Sequence, residues 1–426
     1  MHPAGRSLGV FALLAPVAVW SSGAAAALPS STSAPRADPV SITFDAMEYS
    51  AASYKYFPQF VKQFQAQHPG IKVALKIINW SQGLQVLDTE IGAGKAPNVA
   101  IIGTRWLPGF EQAGILEPVT KVIPKNFFSR FYPSALKALS YKGTYYSLPE
   151  AASVRLLVYN KALFHKAGIA VPPATWTQLE ADAIKIHKAT GAAGYGLTGT
   201  QVETSLGYWY TMWGFGGSIL NAADTKGGFT SPQDVAALTF LEHLIKAGGT
   251  EQGVTASSRT DLESEFDSGK VAMMIDGPWL PNGAIKAKIP VGLANMPHQP
   301  GVKMRNTAIE DSWVIFKTGS AAQQKAAAEF SEFMFTPSVR FTFDKAEGFL
   351  PVEKAVGANP YFAHNPVMSV YLKAFAGPTV AEPIVAKFSA ISLAVTNAVE
   401  SVYTGGASPS AALAGANSKV DAALSS

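Results

Sequence analysis

The chain has 426 residues, of which 48% are hydrophobic and 15% charged, so it can fold into about two or three domains and is too apolar to be disordered throughout. A formal net charge of +4, without a cluster of lysines and arginines, argues against a nucleic-acid binder. The absence of cysteine excludes disulfides, thiolate zinc sites, iron–sulfur clusters and a cysteine nucleophile.

The N-terminal residues have the pattern of a secretory signal peptide. One arginine precedes an apolar run at 8–20, and four alanines follow at 24–27. A membrane anchor needs about 18 or more apolar residues, and this run is shorter. We therefore predict a signal peptide at 1–27 and a flexible mature N-terminus at 28–39. Because no cysteine is available for a lipid, we expect an unanchored protein in the periplasm.

After residue 40, strand-like and helix-like segments alternate. Residues 41–44, 71–78 and 99–102 have the apolar pattern of strands, and 56–68 and 84–94 have apolar side chains at helical spacing. This order predicts a parallel sheet covered by helices. The remaining predicted elements are strands at 156–159, 271–275 and 313–316, and helices at 162–167, 177–190, 321–335 and 389–425, the last interrupted at Gly405 and Gly406.

Motifs for catalysis are missing from the sequence. The seven histidines are scattered, without a pair at metal-ligand spacing, and there is no G-x-S-x-G nucleophile motif. The segments 92–95 and 268–270 lack the full phosphate-loop pattern, so we interpret them as a helix end and a turn. We therefore predict a protein that is not an enzyme, with no catalytic residues, no metal and no cofactor.

Several phrases occur in an order that resembles the extracellular solute-binding proteins of ABC importers, the family that includes maltose-binding proteins. The resemblance extends over about residues 42–424. The phrases are APNVA at 96–100, FEQAGILEP at 110–118, YYSLPE at 145–150, VYNK at 158–161, AGIAVPPATW at 167–176, FDSGKVAM at 266–273, DGPW at 276–279 and YTGGASPSAAL at 403–413.

The resemblance implies an α/β, two-lobed periplasmic-binding-protein fold of type II, in which each lobe is a mainly parallel sheet flanked by helices. The hinge is then crossed three times, near 152–154, 306–309 and 349–351. The N-terminal lobe comprises 40–152 plus 308–349, and the C-terminal lobe 153–307 plus 350–426. The implied function is capture of a carbohydrate (a mono- or oligosaccharide) or polyol between the lobes, by a monomer that delivers it to the membrane subunits of an ABC permease.

Aromatic and charged residues follow the predicted strands, where ligands bind in open α/β sheets. Sugars present C–H faces to aromatic rings and hydroxyls to polar groups, so both residue types suit a sugar site. We assign Trp279, which follows Gly277-Pro278, as the main stacking platform, and we place Trp176, Trp213 and Trp313 in the core. The predicted ligand-binding residues are Glu48, Tyr49, Trp80, Arg105, Trp106, Glu150, Trp209, Asp276, Trp279, Glu310 and Asp311.

Two departures from the family affect the predicted substrate. Glu310-Asp311 replaces a small, glycine-rich pair, and Ile391-Ser392 stands where maltose-binding proteins present aromatic residues. Binding of maltose in their manner is therefore not expected. One alternative is a binding protein for a polyamine or a phosphorylated polyol. Another is a secreted glycoside hydrolase, for which Glu150 and Asp311 would be the pair of carboxyl groups.

Overall fold

The computed structural model describes residues 38–137, 139–141, 143–200 and 202–426. The predicted signal peptide at 1–27 and residues 28–37 of the predicted flexible N-terminus lie outside the described residues. The described part is a mixed α/β protein, as predicted. Its strands are β1 (Val40–Glu48), β2 (Ile71–Asn79), β3 (Val99–Gly103), β4 (Ser140–Tyr141), β5 (Thr144–Tyr145), β6 (Ser147–Asn160), β7 (Met273–Asp276), β8 (Val291–Ala294), β9 (Asn306–Ile315) and β10 (Thr379–Val380).

Helices connect and cover these strands. None of the helices in the described residues combines the length and apolar character needed to cross a bilayer. The helices are α1 (Ala51–Gln67), α2 (Trp80–Gly92), α3 (Leu107–Gln112), α4 (Val119–Val122), α5 (Pro133–Lys137), α6 (Lys161–Lys166), α7 (Trp176–Thr190), α8 (Val202–Phe215), α9 (Pro232–Lys246), α10 (Arg259–Asp267), α11 (Trp279–Lys286), α12 (Ala321–Met334), α13 (Pro337–Glu347), α14 (Lys354–Gly357), α15 (Pro360–His364), α16 (Pro366–Ala376), α17 (Phe388–Tyr403) and α18 (Pro409–Ser425).

The main sheet has the strand order β2-β1-β3-β9-β6-β7, with β8 beside β6 and β10 beside β9. As predicted, β1 pairs in parallel with β2 and β3. The two long strands, β6 and β9, run antiparallel to each other. β6 is also antiparallel to β7 and β8, and β9 is antiparallel to β3. The expectation of mainly parallel pairing thus fits β1 to β3 but not the strands around β6, because β9 enters the sheet opposite in direction to β3.

Local sequence signals explain where the helices beside the sheet begin and end. α1 begins after Ser50, whose side chain accepts a hydrogen bond from the Ala52 N–H. α7 begins with a capping box between Thr175 and Gln178 and ends at Gly191, whose φ of 75° favours glycine. α2 begins at Trp80, directly after β2. The chain therefore turns at the carboxyl ends of β1 and β2, which places aromatic residues at that edge.

Apolar side chains form two separate cores. The first surrounds the sheet and includes Phe44 and Trp313. The second lies among α7, α8, α9, α17 and α18 and includes Trp176 and Trp213. The placement of Trp176, Trp213 and Trp313 in core regions is confirmed, since all three are buried. The chain therefore has two hydrophobic centres that can support a binding site between them.

Candidate functional site

A cavity lies between residues contributed by both parts of the sheet and by surrounding helices. Tyr49 follows β1, Trp80 follows β2 and Trp106 follows β3, so the carboxyl ends of three parallel strands meet at this cavity, as ligand sites do in open α/β sheets. Its lining residues are Tyr49, Trp80, Arg105, Trp106, Arg155, Glu203, Leu206, Arg259, Trp279, Ile309, Asp311, Glu382 and Ser392.

One wall of the cavity is aromatic. The ring centres of Trp80 and Trp106 lie 5.7 Å apart with a tilt of 56°, and Tyr49 lies 5.6 Å from Trp80. The Arg105 guanidinium lies 5.1 Å from the ring centre of Trp106 and 5.8 Å from that of Trp80, within range of a cation–π contact. The wall therefore offers ring surface with a hydrogen-bond donor beside it.

Trp279 forms another part of the cavity wall. Its Nε1 donates to Glu263 Oε1 at 2.7 Å, and the guanidinium groups of Arg155 and Arg259 lie 4.5 and 5.2 Å from its ring centre. A Cβ at position 277 would come within 2.3 Å of the ring, so Gly277 allows the indole to lie against the backbone. These contacts hold Trp279 in one orientation.

Two of the cavity arginines form ion pairs with carboxylates. Arg105 Nε lies 3.1 Å from Glu382 Oε2. Arg259 Nε lies 3.2 Å from Glu203 Oε1, and the Arg259 backbone N–H donates to Glu203 Oε2 at 2.9 Å. Arg259 Nη1 also donates to the Tyr49 carbonyl oxygen at 3.2 Å. These pairs fix the guanidinium groups and connect residues that are far apart in the chain.

Arg155, on β6, has neutral partners instead. Its Nε donates to Tyr210 Oη at 3.3 Å and its Nη1 to Ser153 Oγ at 2.9 Å. No ion pair to Arg155 is present among the described residues. Only 7% of this residue is exposed. Its guanidinium therefore retains donor capacity that no carboxylate takes up directly.

Asp311, on β9, is the cavity carboxylate with the most altered acidity. Burial raises its pKa to about 7, although the positive charges of Arg105 and Arg155 act in the opposite direction. Burial and the charge of Asp311 both raise the pKa of the Tyr49 hydroxyl well above its usual range. The Tyr49 hydroxyl and the Asp311 carboxylate interact with each other, although their contact falls short of a hydrogen bond of ordinary geometry. The site thus contains a buried hydroxyl–carboxylate pair that is only weakly bonded.

The structure brings more than half of the predicted ligand-binding residues to this one cavity. They come from the residue after β1, from β9, from the starts of two helices and from the turn after β3. The predicted residues that line it are Tyr49, Trp80, Arg105, Trp106, Trp279 and Asp311.

Glu48 and Asp276 lie next to the cavity without lining it. Glu48 accepts a hydrogen bond from Asn79 Nδ2 at 2.9 Å and faces a groove on another side of Trp279. Asp276 lines a smaller space of about 370 Å³, and its Oδ1 accepts from the Gly277 N–H at 2.6 Å. Glu48 is the last residue of β1 and Tyr49 the first residue after it, and their side chains face different spaces.

The remaining predicted residues, Glu150, Trp209 and Glu310, are not brought to the cavity wall. Glu150 is fully buried, and both its carboxylate oxygens accept from Arg340 Nη1 at 2.9 Å. Trp209 is fully buried and stacks on Phe229 with ring centres 5.6 Å apart. Glu310 lies on the face of β9 opposite to that of Asp311, because side chains alternate along a strand.

Several cavity residues were not predicted. Arg155 and Ile309 lie on the two long strands, and Glu382 lies in the loop between β10 and α17. Glu203 and Arg259 begin two helices that sequence periodicity did not reveal, so no signal marked them. Among these residues the sequence marked only Ser392, because it departs from the aromatic pattern of maltose-binding proteins. Among the described residues, no group of three or more histidines and carboxylates is placed to hold a metal ion.

Comparison with known proteins adds independent information. The sequence profile described as bacterial extracellular solute-binding protein matches residues 49–340. A Brucella abortus protein named as a binding protein is 37% identical over 410 residues, which cover 95% of this chain and 98% of that protein. The sn-glycerol-3-phosphate-binding periplasmic protein of Brucella abortus is 30% identical over 256 residues, or 57% of this chain and 58% of that protein. A solved ABC transporter solute-binding protein from Thermotoga lettingae, bound with α-D-tagatose, has a TM-score of 0.82 and 25% identity, covering 90% of this chain and 100% of that chain.

Proposed function

The chain belongs to the family of bacterial extracellular solute-binding proteins, and from that premise we propose that it captures a neutral sugar or polyol in the cavity for an ABC importer. Its fold is the predicted α/β, two-lobed periplasmic-binding-protein fold. The observation that supports a neutral ligand is the composition of the cavity: three guanidinium groups and three carboxylates share it with four aromatic rings. Such a balance supplies donors, acceptors and ring faces without favouring a charged ligand.

A second candidate is a phosphorylated polyol. Arg155 favours it, because a buried guanidinium without an ion-pair partner can hold a phosphate or carboxylate oxygen. Against it, Asp311 and Glu382 act on the same guanidinium through their charges. A phosphate at Arg155 would therefore lie close to two further acidic groups, and repulsion from them would weaken its binding.

A thermal-shift experiment separates the two candidates. The mature protein is heated with tagatose, ribitol, maltose, mannotriose or sn-glycerol 3-phosphate, because a ligand that binds the folded state raises the melting temperature by mass action. A shift with at least one neutral sugar or polyol, and none with the phosphate ester, is the expected result. A shift with sn-glycerol 3-phosphate alone would contradict the neutral ligand, and calorimetry with that compound would then measure its affinity.

The division of the chain into lobes supports a closing mechanism. We propose the predicted boundaries, 40–152 plus 308–349 for one lobe and 153–307 plus 350–426 for the other. With these boundaries, the Arg105–Glu382 ion pair and the hydrogen bond from Arg259 to the Tyr49 carbonyl both join the lobes. A ligand that contacts both lobes then stabilises the closed form, which the permease recognises.

We also propose that the protein is exported from the cytoplasm and that it releases its ligand chemically unchanged. Residues 1–27 serve as the signal peptide, and the mature protein works in the periplasm as a monomer without a lipid anchor. It binds neither nucleic acid nor a cofactor. Since Arg340 holds Glu150 away from the cavity, Glu150 and Asp311 do not form a pair for glycoside hydrolysis. Chromatography of mannotriose after incubation should recover it intact, whereas shorter sugars would reveal an enzyme.

A further inference from the structure

The Trp279 indole has protein groups over its ring and at both of its edges. The guanidinium groups of Arg155 and Arg259 lie over the ring, 4.5 and 5.2 Å from its centre. At one edge, Nε1 donates to Glu263 Oε1 at 2.7 Å. The opposite edge lies against the backbone at Gly277, where a Cβ would come within 2.3–2.5 Å of three ring atoms. A sugar that stacked on this indole would have to share the ring with two guanidinium groups.

The two arginines over the ring differ in what else holds them. Arg259 forms ion pairs with Glu203 and Glu263. Arg155 is also buried, but it forms no ion pair among the described residues and donates only to two hydroxyl groups. A buried charge is costly unless something compensates it, and the face of an indole attracts a cation. The Trp279 ring therefore gives Arg155 a stabilising contact that no directly bound carboxylate provides.

The Arg155 guanidinium keeps N–H donors for a ligand. A guanidinium has five N–H groups in one plane. One on Nε donates to Tyr210 Oη and one on Nη1 to Ser153 Oγ, and Nη2 has no hydrogen bond to any described residue. Nη2 is not one of the enclosed polar atoms, and Arg155 lines the cavity. Donors in such a fork suit neighbouring oxygen atoms, such as those of adjacent hydroxyl groups.

The backbone that carries Trp279 is held as firmly as its ring. Trp279 is the first residue of α11 and follows the turn at Gly277-Pro278. Tyr371 Oη donates to the Gly277 carbonyl oxygen at 3.1 Å, and the Gly277 N–H donates to Asp276 Oδ1 at 2.6 Å. The ring of Phe349 meets the indole at 79°, with ring centres 6.0 Å apart. The indole is thus a fixed surface on which the Arg155 guanidinium lies.

We propose that Trp279 is a positioning residue: its indole holds the Arg155 guanidinium at the cavity, and this guanidinium, rather than the ring, contacts the ligand. The stacking role that the sequence predicts for Trp279 is thereby replaced. Arg155 becomes a specificity-determining residue, because a guanidinium edge selects the placement of neighbouring oxygens, whereas a free ring selects a flat C–H face. The inference rests on the proposed capture of a neutral sugar or polyol and names the group that recognises it.

A double-mutant cycle in affinity tests this role. Tagatose, ribitol, maltose and mannotriose are titrated into the mature protein by calorimetry, and each compound that binds is titrated into Trp279→Leu, Arg155→Met and the double variant. We expect Trp279→Leu to lower affinity roughly tenfold when Arg155 is present and less than about twofold beside Arg155→Met. A tenfold loss in both backgrounds would overturn the inference, because a ring that stacks on the ligand acts without Arg155.

Trp106→Leu is the matched control for the cycle. It removes another tryptophan of the cavity wall, one whose ring lies beside the Arg105 guanidinium. Its effect on affinity should be the same with and without Arg155→Met, since independent sites add. The melting temperature of each ligand-free variant verifies folding. A loss that also vanished for Trp106→Leu beside Arg155→Met would mean that the cycle reports general weakening of the site, and the positioning role would fall.

A crystal structure of the wild-type protein with the most tightly bound of these compounds tests the inference without any variant. We expect the Arg155 guanidinium to stay over the Trp279 ring and to lie about 2.7–3.2 Å from oxygen atoms of the compound. A sugar ring lying on the Trp279 indole would overturn the inference and leave the proposed function intact. If no sugar or polyol binds at all, the proposed function fails and this inference fails with it.

Discussion

The protein contains two buried clusters of arginines and carboxylates that differ in whether the central arginine forms ion pairs. In the first, Arg340 donates to both carboxylate oxygens of Glu150 at 2.9 Å, to the Glu150 carbonyl at 2.5 Å and to Asp344 Oδ1 at 2.6 Å. In the second, around the cavity, Arg155 has only neutral partners. We call the first cluster closed, because its arginine forms ion pairs with two carboxylates, although Arg340 Nε itself has no partner among the described residues. The second, open cluster is incomplete in that Arg155 forms no ion pair with a described residue.

The two clusters begin on neighbouring strands. Ala151 on β6 pairs with Asp311 on β9, so Glu150 and Asp311 lie close together in the sheet. Burial raises the pKa of both carboxyl groups. The two carboxyl groups differ in their contact with Arg340 on α13, which forms an ion pair with Glu150 but not with Asp311. Removing one partner of a buried ion pair leaves the other charge uncompensated and is costly, whereas a buried guanidinium that forms no ion pair beside a cavity has capacity left for a ligand.

The largest expected effect comes from removing the arginine of the closed cluster. Arg340→Met leaves Glu150 and Asp344 buried without their partner, which should lower the free energy of unfolding by about 3–5 kcal/mol. Arg155→Met is the matched variant in the open cluster, and it should lower stability much less while it weakens ligand binding. Urea unfolding monitored by circular dichroism measures the first effect, and calorimetry the second. Equal stability losses for the two variants would remove the distinction between the clusters.

The pH dependence of stability tests the open cluster directly. Because burial raises the pKa of Asp311 from 3.8 to about 7, the folded state binds a proton more tightly than the unfolded state. The contribution of Asp311 to stability is therefore full below pH 3.8 and is lost as pH rises through about 7. Asp311→Asn should reduce the fall in unfolding free energy between pH 5 and pH 8 by about 1–3 kcal/mol.

Urea unfolding of the wild type and of Asp311→Asn at a series of pH values provides this measurement. Asp38→Asn is the control, because Asp38 is exposed near the start of the described chain and its removal should not change the slope. If Asp311→Asn left the slope unchanged, the buried Asp311 would not be the titrating group.

Two tryptophans allow the same comparison between the binding site and the core with apolar side chains. Trp279→Ala removes a ring from the cavity wall and should lower ligand affinity by about 1–2 kcal/mol, or roughly tenfold. Trp176→Phe changes a fully buried ring in the second core and should lower the melting temperature while the shift caused by ligand stays the same. Thermal shift with and without the sugar that binds measures both quantities. A ligand shift that survives Trp279→Ala would exclude this wall from the site.

The sequence was most informative where a residue directly follows a strand. Tyr49, Trp80 and Trp106 were predicted from that position alone, and the parallel pairing of β1 with its neighbours brings them together. Glu150 was predicted as a hydroxyl partner for a sugar without following a strand, and it lies elsewhere, because it pairs with Arg340, 190 residues away. No local pattern reveals such a pairing.

The helices show the same limit. Those with clear apolar spacing, α1 and α7, were predicted close to their observed positions. α8 and α10 were not, since α8 is apolar on most faces and α10 is short and rich in charged residues. These two helices supply Glu203 and Arg259, so the part of the cavity that they form was missed with them. Tertiary packing, rather than periodicity, determines this part of the fold.

The smallest expected effect lies at α17, where Ser392 stands in place of the aromatic residues of maltose-binding proteins. Its Oγ lies 3.0 Å from Ser205 Oγ at the cavity wall. Ser392→Ala removes one hydroxyl and should lower ligand affinity by about 0.5–1.5 kcal/mol, the value of a single neutral hydrogen bond. Ser401→Ala, on the same helix but bonded to the Ala398 carbonyl, is the matched control and should not change affinity. If both variants bind equally well, α17 closes the cavity without contacting the sugar, and recognition rests on the tryptophans and the incomplete charge cluster.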